Sequence, residues 1–298
     1  MDYALLRRSR TLGSALEPVI GQVFFSPECH AAYSRHGFAP SPGRMGLVAL
    51  PDGPAYFTSR GSLLGQVRPL VVAAAFGVFK PESVSAGVTL GWSLTDAATI
   101  FEERRSGAVA QLERILGKAD EQVGRASVLM ERAVAPLGVE GRPLFAGLRS
   151  WWDDPVDPWT RFFHLGDMLR ECRGDAHISS WTSAALDAVE IALLNDVYMG
   201  LPLRSYSRTR GWNDDELAAG EERLRRRGWL EDQALSDDGR EARESIERAT
   251  DHQMQPALDA LAGDFDELIG ILRPWGATIC EAGGYISGPV DLWPVRDD

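Results

Sequence analysis

Four consecutive stretches decide the fold: DAVEIALLNDVYMG (187–200), NDDELAAGEERLRRRG (213–228), WLEDQALSDDG (229–239) and REARESIERATDHQ (240–253). Asp187 followed three residues later by Glu190 is a variant of the capping box, set ahead of an apolar run that stops at Gly200 and Pro202. Asn213 opens a second helix with acids in its first turn and arginines in its last, the order that suits the helix dipole. Trp229, Leu230 and Leu235 flank a polar turn and predict a hairpin. A long amphipathic helix follows. Helix, turn, helix, hairpin, helix over 187–255 is the winged-helix order.

Working outward, most of the chain reads as helix. Residues 3–20 form an amphipathic first helix, and Ser26–Pro27–Glu28 starts a second. The stretch 39–53 is a turn-rich connector. PAYFTSRGSLLGQV (54–67) reads as a short strand pair or a helix corner, the small β element of the N-terminal half. RPLVVAAAFGVFKPESVSAG (68–87) predicts a buried helix ending near Pro81, and LTDAATIFEERRSGAVAQLERILG (94–117) a helix pair broken at Ser–Gly. The fold class expected is mainly α: a helical N-terminal half with a small β element, and a C-terminal winged-helix module. The expected segments are a helical domain over 1–137, a connector rich in Pro, Trp and Asp over 138–158, and a helical domain over 159–298 containing the winged helix.

The chain has 298 residues, 44% hydrophobic and 25% charged, enough to bury a real core. No apolar run approaches the roughly 20 residues that span a bilayer. The first helix lacks a signal-like apolar stretch, so the expected location is cytoplasmic. Cys29, Cys172 and Cys280 are too far apart for a disulfide framework or a zinc pattern. The net charge of −12 argues against nucleic-acid binding, which rests on phosphate neutralisation. Residues 205–250 hold nine Arg against twelve Asp and Glu. The expected recognition helix opens on Asn213, Asp214, Asp215 and Glu216, where base reading calls for Arg, Lys, Asn or Gln. Arg204, Arg208 and Arg210, in the turn before it, are the residues placed to reach phosphates.

Chemistry concentrates in LRECRGDAHISSW (169–181). His164, Asp167 and Glu171 share one face of a helix. Arg173–Gly174–Asp175 predicts a break, with Asp175 capping a short following helix that carries His177 in its first turn. Two His, two Arg and three acids at an apolar corner suit a pocket for a small polar or anionic molecule. Arg173 is the candidate clamp and His177 the candidate proton carrier, with Asp175 beside it as acid/base partner. His164 shares this pocket, and Tyr56, Ser59 and Arg60 supply a second polar set. Arg173 needs a partner from elsewhere, either a distant acid such as Asp251 or a bound ligand, and Asp251 is counted with the ligand-binding set. His164, Glu171 and His177 offer a 2-His-1-carboxylate metal set, but no H-x-x-x-H or E-x-x-H spacing exists, so neither metal nor cofactor is expected. Hydrolase, P-loop and dinucleotide signatures are absent from the sequence.

The ordered set AYFTSRGSLLGQV, GRPLFAGL, RFFHLGDMLRECRGDAHISSW, LDAVE, RGWNDDEL, RLRRRGWLE and DDGREARESIERATD spans nearly the whole chain. It resembles the actinobacterial SalK-type helix-turn-helix family. The resemblance implies a mostly helical protein with a winged helix related to MarR-type regulators, and no settled activity. Phe162–Phe163 stands where a Trp-containing pair is expected, and Cys172 where a His is expected. Together these readings favour a small-molecule-binding protein on a winged-helix scaffold, serving specialised metabolism, with a homodimer allowed. The alternatives are a cofactor-free acid/base enzyme in the same pocket and a MarR-like ligand-responsive transcriptional regulator.

Overall fold

The computed structural model describes residues 3–286, and within them the chain is mainly helical. Helix α1 (Tyr3–Ile20) leads through a 3-10 turn into α2 (Pro27–Arg35). The Ser26 hydroxyl accepts from the Cys29 N–H to cap α2, with Pro27 at its first position. The connector that follows carries the small β element, an antiparallel pair of β1 (Arg44–Met45) and β2 (Val48–Ala49). AYFTSRG is not part of it: Asp52 caps helix α3 (Gly53–Gly61) there, so the helix-corner alternative holds. The buried helix expected to end near Pro81 is α4 (Pro69–Phe76), which stops a few residues earlier, and a second helix, α5 (Pro81–Leu94), starts at that proline. The chain turns at Gly77, whose φ of 64° favours glycine.

Helix α6 (Ala97–Leu116) runs unbroken through Ser106–Gly107. Gly107 is there for packing, since a Cβ would sit 2.8 Å from the Cys29 Cα on α2. Next come α7 (Glu121–Val134), α8 (Pro143–Ser150) and α9 (Pro158–Ser183). Helix α9 also departs from expectation: its 26 residues pass through Arg173–Gly174–Asp175 without a break. A glycine inside a helix costs about 1 kcal/mol. Here burial offsets it, because α9 is packed by α1, α6, α7, α8 and α12 and buries residues on every side.

The winged helix follows. Asp187 and Glu190 form a complete capping box for α10 (Ala188–Tyr198), and Asn213 and Glu216 form another for α11 (Asp214–Arg226). Strands β3 (Leu230–Glu231) and β4 (Ala234–Leu235) pair antiparallel as the wing. The amphipathic helix after it divides at Met254 into α12 (Asp237–Gln253) and α13 (Gln255–Leu261), and α14 (Phe265–Glu281) closes the described chain. Of the expected segment 159–298, residues 287–298 lie outside the described residues.

Two apolar cores result. The larger draws on α1 to α9 together with α13 and α14. The smaller is the winged helix's own, built on Leu193, Leu194, Leu217, Leu224, Leu230 and Ile246, with Trp181 from the end of α9. Among the described residues no helix is long and apolar enough to cross a membrane.

Candidate functional site

Because α9 is surrounded, its charged side chains must find partners inside the protein. Glu171, fully buried, accepts two hydrogen bonds from Arg60 of α3 (2.7 and 3.0 Å) and one from Arg170 (2.9 Å). Burial would raise the Glu171 carboxyl, but Arg60 and Arg170 more than offset it and bring it down to about 2. Arg170 also forks onto Glu17 of α1, with both contacts at 2.9 Å. One turn further, Arg173 donates to Glu247 (2.5 Å) and Asp251 (3.0 Å) of α12. Arg10 of α1 reaches the other Asp251 oxygen at 2.8 Å, and Arg243 holds Glu247 at 2.7 Å. These paired charges tie α1, α3, α9 and α12 together.

Between this body and the winged helix lies a cavity of about 230 Å³. The body contributes Leu12, Leu16, Leu169 and Val78, and the winged helix contributes Ala192, Met199 and Leu201. Its polar lining includes Arg60, Arg173, His177, Asn195, Tyr206 and Arg210.

The predicted site residues divide around it. Arg60, Arg173 and His177 line the cavity, and Asp251 stands behind Arg173 as its partner. Tyr56 meets this group through Arg60, whose Nη1 donates to its hydroxyl at 3.4 Å. Ser59 is buried, donates to the Tyr56 carbonyl and faces a separate small crevice. His164 lies elsewhere, bonded through Nε2 to the Leu148 carbonyl (2.9 Å) and edge-on to the rings of Phe101 and Trp152.

Asp175 does not cap its own helix, since α9 has no end there. Its carboxylate accepts from the Phe145 N–H at 3.0 Å, in the first turn of α8, a capping role across the fold. Burial pushes its carboxyl up to about 7. Residues two apart on a helix point about 200° apart, and Asp175 and His177 accordingly engage α8 and α12. No hydrogen bond joins them among the described residues. Burial, then Arg243, hold the His177 imidazolium down to about 3, so the ring is neutral near pH 7. The Thr250 hydroxyl donates its hydrogen to the Ile246 carbonyl (2.9 Å) and so accepts from His177 Nδ1–H (3.3 Å). That tautomer leaves Nε2 as an acceptor.

Sequence reading missed Arg10, Arg170, Arg243 and Glu247. The last two carried a signal: with Ile246 and Thr250 they share the buried face of α12 at helical spacing. Arg210 is one of the three arginines whose position in the turn before α11 would let them reach phosphates. It lies instead in the cavity wall, on a turn pinned to the body by Lys80 N–H to the Arg210 carbonyl (2.9 Å) and Trp212 Nε1–H to the Val78 carbonyl (3.1 Å). Lys80 also pairs with Glu216, so the first turn of α11 sits against the α4–α5 loop. Among the described residues no cluster of three or more His, Cys, Asp or Glu is arranged to hold a metal.

The fold and cavity define a mainly helical winged-helix protein with an internal pocket where the module meets the body. Residues 9–286 match a helix-turn-helix family, and the chain belongs to it. No curated protein and no solved structure matches it.

Proposed function

We propose that this protein binds a small molecule in the cavity between its helical body and its winged helix. The observation that carries this reading is the make-up of that cavity: at a junction of two cores, an apolar surface from Leu12, Leu16, Val78, Leu169 and Met199 meets converging charged side chains, five of them arginines, a composition that suits a ligand with an apolar body and a polar group. His177, neutral and with a free acceptor nitrogen, suits orientation of a ligand better than proton transfer, since its neighbour in sequence, Asp175, serves α8.

Native mass spectrometry of the purified protein is expected to show a retained small molecule, or a thermal-shift screen to return stabilising compounds. Ala192→Phe, which fills the cavity from α10, should abolish either signal while the circular dichroism spectrum is kept. A folded Ala192→Phe protein that still bound would overturn the reading.

A ligand-responsive DNA regulator is the second reading, favoured by the family to which the chain belongs. The acidic first turn of α11 and its ion pair with Lys80 count against its insertion in a major groove. A gel shift with the gene's own upstream DNA is expected to show no tight complex near physiological salt. A complex that weakens steeply with added salt would favour the regulator instead.

A further inference from the structure

Among the described residues the charges around the cavity are matched with one exception. Arg60 and Arg170 are held by Glu171 and Glu17, Arg173 by Glu247 and Asp251, and Arg243 by Glu247 and Asn195. Arg210 has no such partner. Its guanidinium stacks 4.0 Å over the Tyr206 ring and 4.6 Å from the centre of the Phe79 ring. Among the described residues its side chain makes no hydrogen bond or ion pair, and its Nε is buried without a partner. Asp196 acts on it through space. That carboxylate, however, is spent on the Ser207 hydroxyl (2.6 Å) and on the backbone N–H groups of Tyr206 and Ser207. Burial lowers the Arg210 guanidinium to about 10, which still leaves it charged at neutral pH.

The turn is also held rigidly. Gly211 has φ of 88° and packs so closely that a Cβ would meet the Ser83 Oγ at 2.8 Å. With both backbone anchors to Val78 and Lys80, this fixes where Arg210 stands.

We propose that the cavity takes an amphipathic monocarboxylate, its carboxylate pairing with Arg210 and its apolar body lying against Leu12, Leu16, Val78 and Leu169. This rests on the small-molecule reading above and names the ligand class. A planar guanidinium forks onto a carboxylate with two parallel N–H···O bonds, and Tyr206 stacked on it blocks one face and directs the anion to its edge. A single negative charge fits because, among the described residues, Arg210 is the one cation lining the cavity that no carboxylate holds. His177 Nε2 accepts a hydrogen bond from any hydroxyl or N–H the ligand carries.

The test uses the full chain with phenylacetate, 2-naphthoate and octanoate, each beside its neutral amide, read by isothermal titration and thermal shift. At least one acid is expected to bind, with its amide weaker by about tenfold or more. Arg210→Met keeps the stacking on Tyr206 and Phe79 and should lose that acid-over-amide preference. Arg210→Lys should keep part of it. Unfolding curves of both variants separate loss of binding from loss of fold. Amides binding as well as acids, or Arg210→Met retaining the preference, would overturn the carboxylate assignment and leave the pocket reading standing. If neither acids nor amides bind and native mass spectrometry finds nothing retained, both fall.

Discussion

Arg173 and Arg210 face one cavity from its two sides, and they differ in what answers their charge. Arg173, on the body's central helix, meets Glu247 and Asp251. Arg210, on the turn leading into α11, meets aromatic rings and no carboxylate among the described residues. Asp175 is a third case: one of its oxygens is buried without a partner, but a carboxyl can take up a proton and an arginine near pH 7 cannot lose one. The contrast separates structural charge from binding charge. A buried ion that the fold neutralises holds elements together, a buried acid can neutralise itself, and a fixed cation left over calls for an anion from outside.

The largest effect should come from breaking the closed side. Arg173→Ala leaves Glu247 and Asp251 buried with only Arg243 and Arg10 beside them, and should cost about 3–5 kcal/mol in urea unfolding. An Arg173→Ala protein as stable as the parent would erase the distinction between the two arginines.

The self-neutralising acid should show itself through pH. The folded-state value of Asp175 is raised to about 7 from an ordinary 3.8. Its contribution to stability is therefore fully present below pH 4 and lost as pH rises through 7. Asp175→Asn, which keeps an acceptor for the Phe145 N–H, should match the parent near pH 4 and exceed it by about 4 kcal/mol at pH 8. A difference that does not change between pH 4 and 8 would mean that the carboxyl titrates normally.

The smallest effect belongs to the open side. Arg210→Met removes an unanswered cation and keeps an apolar stem over Tyr206 and Phe79. The unliganded protein should gain about 1 kcal/mol, seen as a higher Tm, while losing its anion preference. A destabilised Arg210→Met protein would place Arg210 with the structural charges.

Much of the winged helix was legible in residue order, because its signals are local. Asp187 with Glu190 and Asn213 with Glu216 are capping boxes within one turn, and Leu230 and Leu235 flank a short hairpin. The breaks expected at Ser106–Gly107 and Arg173–Asp175 failed for one shared reason. A glycine or a charged run weakens an isolated helix, but α6 needs Gly107 to approach Cys29, and α9 is held straight by neighbours on all sides.

The candidate site divides the same way. That Arg173, Asp175 and His177 need partners follows from composition alone, since charge among apolar residues is costly wherever it lies. The identity of each partner depended on packing across 30 to more than 100 residues of chain. Asp175 caps α8, Glu171 takes Arg60, Arg173 takes Glu247 and Asp251, and Arg210 is left over. A helical chain with a winged helix and a concentration of charge near α9 follows from residue order, because propensity, capping and periodicity act within a few residues. Which of those charges close on one another and which one stays open follows from packing, because ion pairs form between side chains brought within 4 Å by distant helices.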